Sequence, residues 1–567
     1  MSSREPQVLE PPPRWEPHEK PSMPGSPATL AHSLPRRVAY ALVAVLVGLT
    51  GGLGAALVTA NLSTIQGELG LTPVQGAWLP AAYVMANVTV NLLVFKFRQQ
   101  YGIRLFAEMG LGVYAALTLM HLLVHNFEMA LLVRAASGFA AATTATLAVQ
   151  YMQQVFPRTK AGAGLVVGLT LSQLATPLAW LMSPSLLDLG DWRTLYALEA
   201  GLALCSFAAV VVLKLPVGLR IRVLETRDFL TFALVAPGVA LLAAVLSQGL
   251  NVWWIDTPWL AWALIGAIGL LTCAAIVEYR REYPLLQIRW LLNGATLRFI
   301  FGALMMRFLM SEQTYGAVGL LRTLGMGPDQ LQPLYGVMLV GMICGLTFTA
   351  FFFGQKSSQV FHILGAIVLI AIGGWMDRHA TSDVRPHDFF VSQFMISFAA
   401  AMFMGPLMLI GVGQALKHGT DHMVTFIVLF SVTQTLGGLT GAAVLGTLQA
   451  QRTTLYSQAI SAQMQRTDAS VIQRINHESQ SLAHIITDPV QRTAQGTAQL
   501  AQIVRREASV RAFNYVFTVI GVLALAFLSW SLYRAIIILK ADRPPSGISA
   551  AAAAGARAPV GAASRVS

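Results

Sequence analysis

Four charged side chains lie inside long apolar stretches of the sequence, where they could bind a charged substrate or carry protons. Arg134 and Glu199 fall in separate apolar runs, and Arg307 and Glu312 share a third, RFLMSEQTY. A charge near the bilayer centre costs at least about 2.5–3.5 kcal/mol, so such residues usually face protein or a water-filled cavity. A transport site is therefore the first hypothesis. For Arg134 the alternative is a side chain that snorkels to the interface or caps a neighbouring helix end.

The depth of these residues predicts how they pair. Arg134 and Glu312 each lie about seven or eight residues from the outer end of their predicted helices, or roughly 11–12 Å deep at 1.5 Å per residue. We therefore expect them to be partners across a cavity, with Arg307 as a second, deeper cation. A buried carboxyl can take up a proton and release it when its surroundings change, so Glu312 is the predicted coupling acid. Glu199 is predicted to be mainly a structural partner of other helices, with proton coupling as the alternative.

Composition places these residues in a membrane protein. The chain has 567 residues, of which 55% are hydrophobic and 11% charged, and its mean hydropathy is +0.60. Repeated apolar runs of about 20 residues are typical of a polytopic α-helical membrane protein. The net charge of +12 could suggest a nucleic-acid partner. However, the Lys and Arg residues concentrate in alternate short connectors, as the positive-inside rule predicts for cytoplasmic loops, so no nucleic-acid partner is expected.

Fourteen spans are predicted, in the order six, an inserted pair and six, with both termini in the cytoplasm. Two six-helix halves with a substrate site between them are typical of the major facilitator fold. The predicted units are a disordered tail over 1–36, a first bundle over 37–215, the inserted pair with its flanking loops over 216–298, a second bundle over 299–540, and a disordered tail over 541–567.

One connector is much longer than the others. Residues 449–511 carry apolar side chains at steps of mostly four and seven, which predicts a helical stripe that ends at Pro489. We expect a periplasmic helical hairpin with a first arm of about 45 Å at 1.5 Å per residue. The stripe either packs the two arms together or forms a docking surface for a partner.

Several motifs resemble a known family. The most specific are Arg134-Ala-Ala-Ser-Gly138, Phe156-Pro157-Arg158, Trp192-Arg193, Asp228, Gly249 with Trp253-Trp254, Glu278 with Pro284-Leu285-Leu286, and Gly437-Gly438-Leu-Thr-Gly441. Over roughly residues 37–540 the chain resembles the fourteen-span drug:proton antiporters of the major facilitator superfamily, the EmrB/QacA type. The resemblance implies an inner-membrane secondary transporter for multidrug-type efflux. Such a protein would export small amphipathic or aromatic compounds by alternating access, coupled to protons, and could join a periplasmic adaptor and an outer-membrane channel.

The sequence also departs from that family. The position that aligns with the family's span-1 aspartate is Gly54, and the glycine and aspartate of the gating motif are Phe95 and Gln99. Gln434 stands at the usual position of an arginine in span 13. These differences leave two alternatives open, an uncoupled facilitator or importer on the same fold, or a non-transporting membrane sensor or scaffold.

The candidate residues fall into two groups. The predicted substrate and coupling residues are Arg134, Arg307, Glu312, Glu199, Asn87, Asn91, Gln393 and Gln434, and the predicted gating loop contains Lys96, Arg98, Gly102 and Arg104. No nucleophile motif, phosphate-binding loop or metal-ligand spacing stands out, so neither an enzyme nor a cofactor is expected. The three cysteines, Cys205, Cys273 and Cys344, lie in apolar runs at unrelated spacings and are interpreted as small hydrophobic residues.

Overall fold

The protein is described here from a computed structural model. The described residues are 8–9, 14–16, 18–21, 23–157, 160–282, 284–352, 358–419, 421–464, 468–481 and 483–541. The predicted C-terminal tail lies outside them, apart from residue 541, which ends a helix.

Within the described ranges, fourteen helices are long and apolar enough to cross a membrane, which confirms the predicted all-α polytopic architecture. In chain order they are α1 Leu34–Ala60, α2 Pro73–Tyr101, α3 Ile103–Leu123, α4 Phe127–Gln153, α5 Ala161–Asp188, α6 Arg193–Val212, α7 Thr226–Gln248, α8 Pro258–Tyr279, α9 Gly294–Thr323, α10 Pro328–Phe351, α11 Gln359–His379, α12 Pro386–His418, α13 His422–Gln463 and α14 Pro489–Ile537.

The spans pack as two bundles and an inserted pair. Helices α1–α6 form the first half and α9–α14 the second, while α7 and α8 pack on each other and α7 also packs against α2 and α13. The halves meet where α5 contacts α10 and α12, and where α2 contacts α13. At the first of these seams Trp180 stacks on Tyr335, with ring centroids 4.6 Å apart. The end of the bundle that carries residues 98–104 and 280–289 is called the basic face below, and the opposite end is called the hairpin face.

The gating segment differs from the predicted loop. Helix α2 runs to Tyr101, so Lys96 and Arg98 lie in its last turns, and Arg104 already belongs to α3. Gly102 alone separates the two helices, with a φ of +85°. Because glycine adopts positive φ without a steric penalty, a single residue is enough to reverse the chain here.

Small residues bring α2 and α4 into close contact. A Cβ added at Gly138 would lie 2.2 Å from the carbonyl oxygen of Tyr83. The Ala- and Gly-rich run after Arg134 therefore lets the backbone of a neighbouring helix approach.

Replacing Gly138 with leucine is expected to separate these helices and to lower the midpoint of thermal unfolding of the purified protein. Overpacking in a tight core typically costs about 1–3 kcal/mol. Gly201 in α6 is the matched control, because a Cβ there would meet nothing within 4 Å. Equal unfolding midpoints for the Gly138→Leu and Gly201→Leu proteins would contradict the close packing.

The long connector is a helical extension of two spans, and its first arm is not the single helix that the heptad-like stripe predicted. Helix α13 continues to Gln463, and a separate helix, Ala469–Ser481, follows. Asp468 precedes this second helix, and hydrogen bonds from Ser470 hold the pKa of its carboxyl below the usual value. The return arm begins at Pro489 and is continuous with α14.

The N-terminal segment also differs from the disordered tail predicted over 1–36. In its described part, the Gly25 amide donates to the Leu219 carbonyl at 3.0 Å. A Cβ on Gly25 would lie 2.9 Å from the Cα of Gln99, and Met23 packs against the core of the second half. Backbone pairing with the α6–α7 connector therefore orders a segment whose composition alone looked unstructured.

Candidate transport site

The guanidinium of Arg134 is fully buried in the first half, on α4. Its Nη1 donates to the carbonyl of Gly54 on α1 at 2.8 Å, and its Cζ lies 4.5 Å from the ring centroid of Tyr83 on α2. Nε and Nη2 are buried and without a partner. The arginine therefore joins three helices of one bundle, and it does not snorkel to the interface.

Glu199 on α6 supplies the negative charge beside this arginine. The residue is 1% exposed, and its carboxylate accepts a hydrogen bond from the hydroxyl of Tyr114 at 2.9 Å. Arg134 attracts it electrostatically. A Cβ built on Gly54 would lie 2.6 Å from Oε1 of Glu199, so this acid is seated beside the bare backbone of α1.

One prediction about pairing is therefore wrong. Arg134 and Glu312 were expected to be partners because of their depth, but each has other partners within its own half. Depth along a helix does not determine which way a side chain points, and this explains the error. Glu199 bonds to another helix through Tyr114 of α3, as expected of a structural partner.

Glu312 belongs to a second polar cluster, inside the second half. It is 0% exposed and begins a π-helical turn, Glu312–Ala317, within α9. Nε2 of Gln393 on α12 donates to both of its carboxylate oxygens, at 3.2 and 3.1 Å. The same nitrogen lies 3.3 Å from Oδ2 of Asp377 at the end of α11. One amide thus joins two acids, at a helix irregularity of the kind often found at functional sites.

Asp377 is the residue that sequence reasoning missed. It is only 6% exposed, although it is followed at once by Arg378 and His379, which read as the start of a loop. Helix α11 continues through this point as a 3₁₀ turn, Asp377–His379, and so the acid points inward. Its position directly after an apolar run is the sequence feature that could have identified it.

A third set of polar groups follows one face of α13. Arg307 on α9 packs against Gly437, and its Nε is buried without a partner. Both amide atoms of Gln434 are likewise buried and unpartnered. One turn away, Ser431 accepts a hydrogen bond from Asn91 of α2 at 3.1 Å, which links the two halves.

Asn87 and Asn91 share a face of α2, because they are four residues apart. Asn91 donates to the backbone carbonyl of Asn87 at 2.9 Å, and Asn87 donates to the carbonyl of Gly138 at 3.0 Å. Asn87 therefore helps to fix the packing of α2 on α4, whereas Asn91 reaches the second half. The eight predicted residues thus form three groups, and no single pocket gathers them all.

Lys96 of the predicted gating segment binds the inserted pair at the basic face. Nζ of Lys96 lies 2.7 Å from Oδ2 of Asp228 at the start of α7. Arg281, after α8, contacts the other oxygen of Asp228 at 2.7 Å and Glu225 at 2.7 Å. Asp228 and Arg281 are nearly inaccessible to solvent, so this network clamps α2 to both inserted helices.

The other residues of the predicted gating segment, Arg98, Gly102 and Arg104, also make contacts at the basic face. Arg98 is buried, with its Cζ 4.9 Å from the Phe95 ring, and Arg104 donates to the Leu215 carbonyl at 2.7 Å. A Cβ on Gly102 would lie 3.3 Å from the side chain of Arg220. Across the described ranges, no group of three or more His, Cys, Asp or Glu residues is placed to hold a metal ion.

Comparison with known proteins now identifies the family. Residues 42–442 match the sequence profile described as Major Facilitator Superfamily. The chain belongs to the major facilitator superfamily. It is also 23% identical, over 211 residues, to an uncharacterized MFS-type transporter of Mycobacterium tuberculosis (strain ATCC 25618 / H37Rv). That match covers 37% of this chain, which spans about a third (35%) of the relative's length.

Solved structures agree with the major facilitator fold. The human organic anion transporter MFSD10 (TETRAN) aligns with a TM-score of 0.53 at 13% identity, covering 87% of this chain and 100% of that one. Tetrameric PepTSo2 aligns with a TM-score of 0.53 at 11% identity, covering 89% and 99%. At such low identity the likeness shows the fold alone. The protein is thus a multi-pass membrane protein of a transporter family, as predicted.

Proposed function

We propose that this major facilitator protein exports small amphipathic or aromatic compounds by alternating access, driven by protons that bind at Glu312 and Asp377. The observation that carries the coupling is the shared amide of Gln393, which draws two buried carboxyl groups of the second half together. Where two acids are this close, a protonated carboxyl can donate to the ionised one, so that the pair holds one proton between them.

Proton exchange at this pair would be linked to the packing of the halves. The acids lie on α9 and α11, and Gln393 lies on α12, which also contacts α5 of the first half. Phe517 of α14 packs against the π-helical turn at Gly316. A change in charge within this cluster would therefore favour one arrangement of α12 against α5 over another.

Export is supported by the motifs that resemble the fourteen-span drug:proton antiporters, and by the basic connectors, which would place both termini in the cytoplasm. In alternating access, the halves would separate at the basic face to admit the compound and then at the hairpin face to release it. The network of Lys96, Asp228 and Arg281 would break or move as the basic face opens.

Everted vesicles that contain the protein test this function. With an inwardly acidic pH gradient, we expect accumulation of an aromatic probe such as ethidium, and loss of the accumulation when the gradient is collapsed. Accumulation that ignores the gradient would favour an uncoupled facilitator. No transport in any vesicle, together with no substrate-dependent change in the labelling of cysteines placed at the α2–α13 seam, would favour a sensor or scaffold.

We further propose that the hairpin binds a periplasmic adaptor. Several of its apolar side chains are exposed, namely Leu455, Ile472, Ile485, Val490 and Ile503. The arms do pack together, since a Cβ on Gly496 would lie 2.9 Å from the carbonyl oxygen of Ile475. Exposed apolar side chains thus remain on the hairpin although its arms pack on each other.

Replacing residues 455–505 with a short Gly-Ser linker is expected to abolish recovery of a co-expressed adaptor in a pull-down. Apolar contact area would be lost, whereas the transmembrane bundle would remain. Ethidium accumulation in everted vesicles, which lack an outer membrane, is the control for folding. Equal adaptor recovery with and without the hairpin would contradict the docking role.

A further inference from the structure

Among the described residues, Arg307 lacks the acidic neighbour that Arg134, Lys96 and Arg281 have. Arg134 has Glu199 beside it, and Lys96 and Arg281 are paired with Asp228. In the described part of the chain no acidic side chain pairs with Arg307, and its Nε is buried without a hydrogen-bond partner. A buried charge without a counter-charge is strongly unfavourable, so this position favours an anion that the protein itself does not supply.

The surface that faces Arg307 is shaped to receive it. A Cβ on Gly437 would lie 2.8 Å from the Cβ of Arg307, and a Cβ on Gly438 would lie 3.4 Å from its Nε. The glycine pair of α13 thus lets the arginine stem lie against the helix backbone. The residue as a whole is only half-buried, although its Nε is buried.

Gln434 adds a second unsatisfied group on the same helix. Positions 431, 434 and 438 follow a spacing of three and four residues, so they share one face of α13. Both the amide oxygen and the amide nitrogen of Gln434 are buried without a partner. Unmade hydrogen bonds of buried groups are unfavourable, which favours a polar ligand at this point.

This face lies at the seam between the halves. Ser431 is bonded to Asn91 of the first half, one turn from Gln434. A ligand that touched Arg307 and Gln434 would therefore lie next to the α2–α13 contact, where relative movement of the halves would expose or cover it.

We propose that Arg307 and Gln434 form a carboxylate-binding site, and that the transported compounds include small aromatic monoanions. The guanidinium would hold the carboxylate through charge-assisted hydrogen bonds, and the Gln434 amide would complete the polar contacts. This inference rests on the proposed function for the transport of the ligand, but its binding can be measured separately.

Three probes with one ring and different charge test the site: benzoate, neutral benzamide and cationic benzylamine. Binding is measured by isothermal titration calorimetry on the full-length protein in lipid nanodiscs. We expect benzoate to bind at least about tenfold more tightly than benzamide, because only the carboxylate pairs with the guanidinium. Benzylamine should not bind measurably. Equal affinity of the wild-type protein for benzoate and benzamide would overturn the proposal without any variant.

Variants then show which residues cause the preference for benzoate over benzamide. Arg307→Gln should bring benzoate affinity to that of benzamide, Arg307→Lys should retain part of the difference, and Gln434→Leu should weaken benzoate by several-fold. Arg298→Gln is the matched control, since this arginine is exposed at the start of the same helix. An Arg307→Gln protein that unfolds at the wild-type temperature and keeps the full preference would also overturn the site.

Transport measurements distinguish a failure of this proposal from a failure of the proposed function. If everted vesicles accumulate ethidium but neither bind nor accumulate benzoate, the exporter stands and the carboxylate site is wrong. If benzoate binds with the expected charge preference while no compound moves, the site stands and the exporter is wrong.

Discussion

Replacing Glu312 with glutamine is expected to abolish the dependence of transport on the pH gradient in everted vesicles. Glutamine keeps the size and the hydrogen-bonding reach of the side chain, but it cannot take up or release a proton. In the wild-type protein, accumulation of ethidium should rise as the vesicle interior becomes more acidic. In the Glu312→Gln protein, accumulation should fall by at least about tenfold and no longer respond to the interior pH.

Two further variants test which acids cause the pH response of transport. Asp377→Asn should reduce the pH response as well, because Gln393 connects this acid to Glu312. Glu128→Gln is the matched control, as Glu128 is exposed at the start of α4 and should leave transport unchanged. A Glu312→Gln protein whose transport has the wild-type pH profile would show that the coupling acid lies elsewhere, and the Arg134 cluster with Glu199 would then be examined first.

Removing either charge of the Arg134 cluster alone is expected to destabilise the protein strongly, and removing both much less. Glu199→Met would leave a buried guanidinium without its counter-charge, and Arg134→Met would leave a buried carboxylate. Breaking one side of a buried pair typically costs about 3–5 kcal/mol, whereas replacing both sides with apolar groups is often close to neutral. The double variant should therefore unfold at a higher temperature than either single variant.

Glu108 and Lys214 form the control pair for these single and double variants. They form an ion pair 3.1 Å apart, but both side chains are considerably exposed. Exposed pairs contribute about 0–1 kcal/mol, so methionine at either position should shift the unfolding midpoint only slightly. If the Arg134 and Glu199 single variants behave like these surface variants, the two charges are not coupled in the folded protein.

Much of the fold could be predicted from the sequence, because apolar length is a direct requirement of the bilayer. All fourteen spans follow from it, and Arg134 and Glu312 were recognised because a charge in an apolar run is rare. Pairing was a different problem. Glu199 reaches Arg134 because Gly54 leaves space on α1, and such a relation between three helices has no signature in local sequence.

Asp377 illustrates the remaining limit. Its neighbours in sequence look like a connector, and only the packing of α11 and α12 turns the carboxyl toward Gln393. Similarly, the N-terminal segment has the composition of a disordered tail, yet backbone pairing with residues near 219 orders part of it. Long-range contacts decide both cases, and a single sequence carries little information about them.

The unbroken helices α13 and α14 give the hairpin a mechanical role. Because both spans continue beyond the hairpin face without interruption, the connector arms are rigidly attached to the second half. The arm from Pro489 to Arg511 is about 33 Å long at 1.5 Å per residue. A rigid-body tilt of the second half by about 10° would displace its tip by about 6 Å. The hairpin would therefore move together with the second half, and a protein bound at its tip would be displaced in each transport cycle.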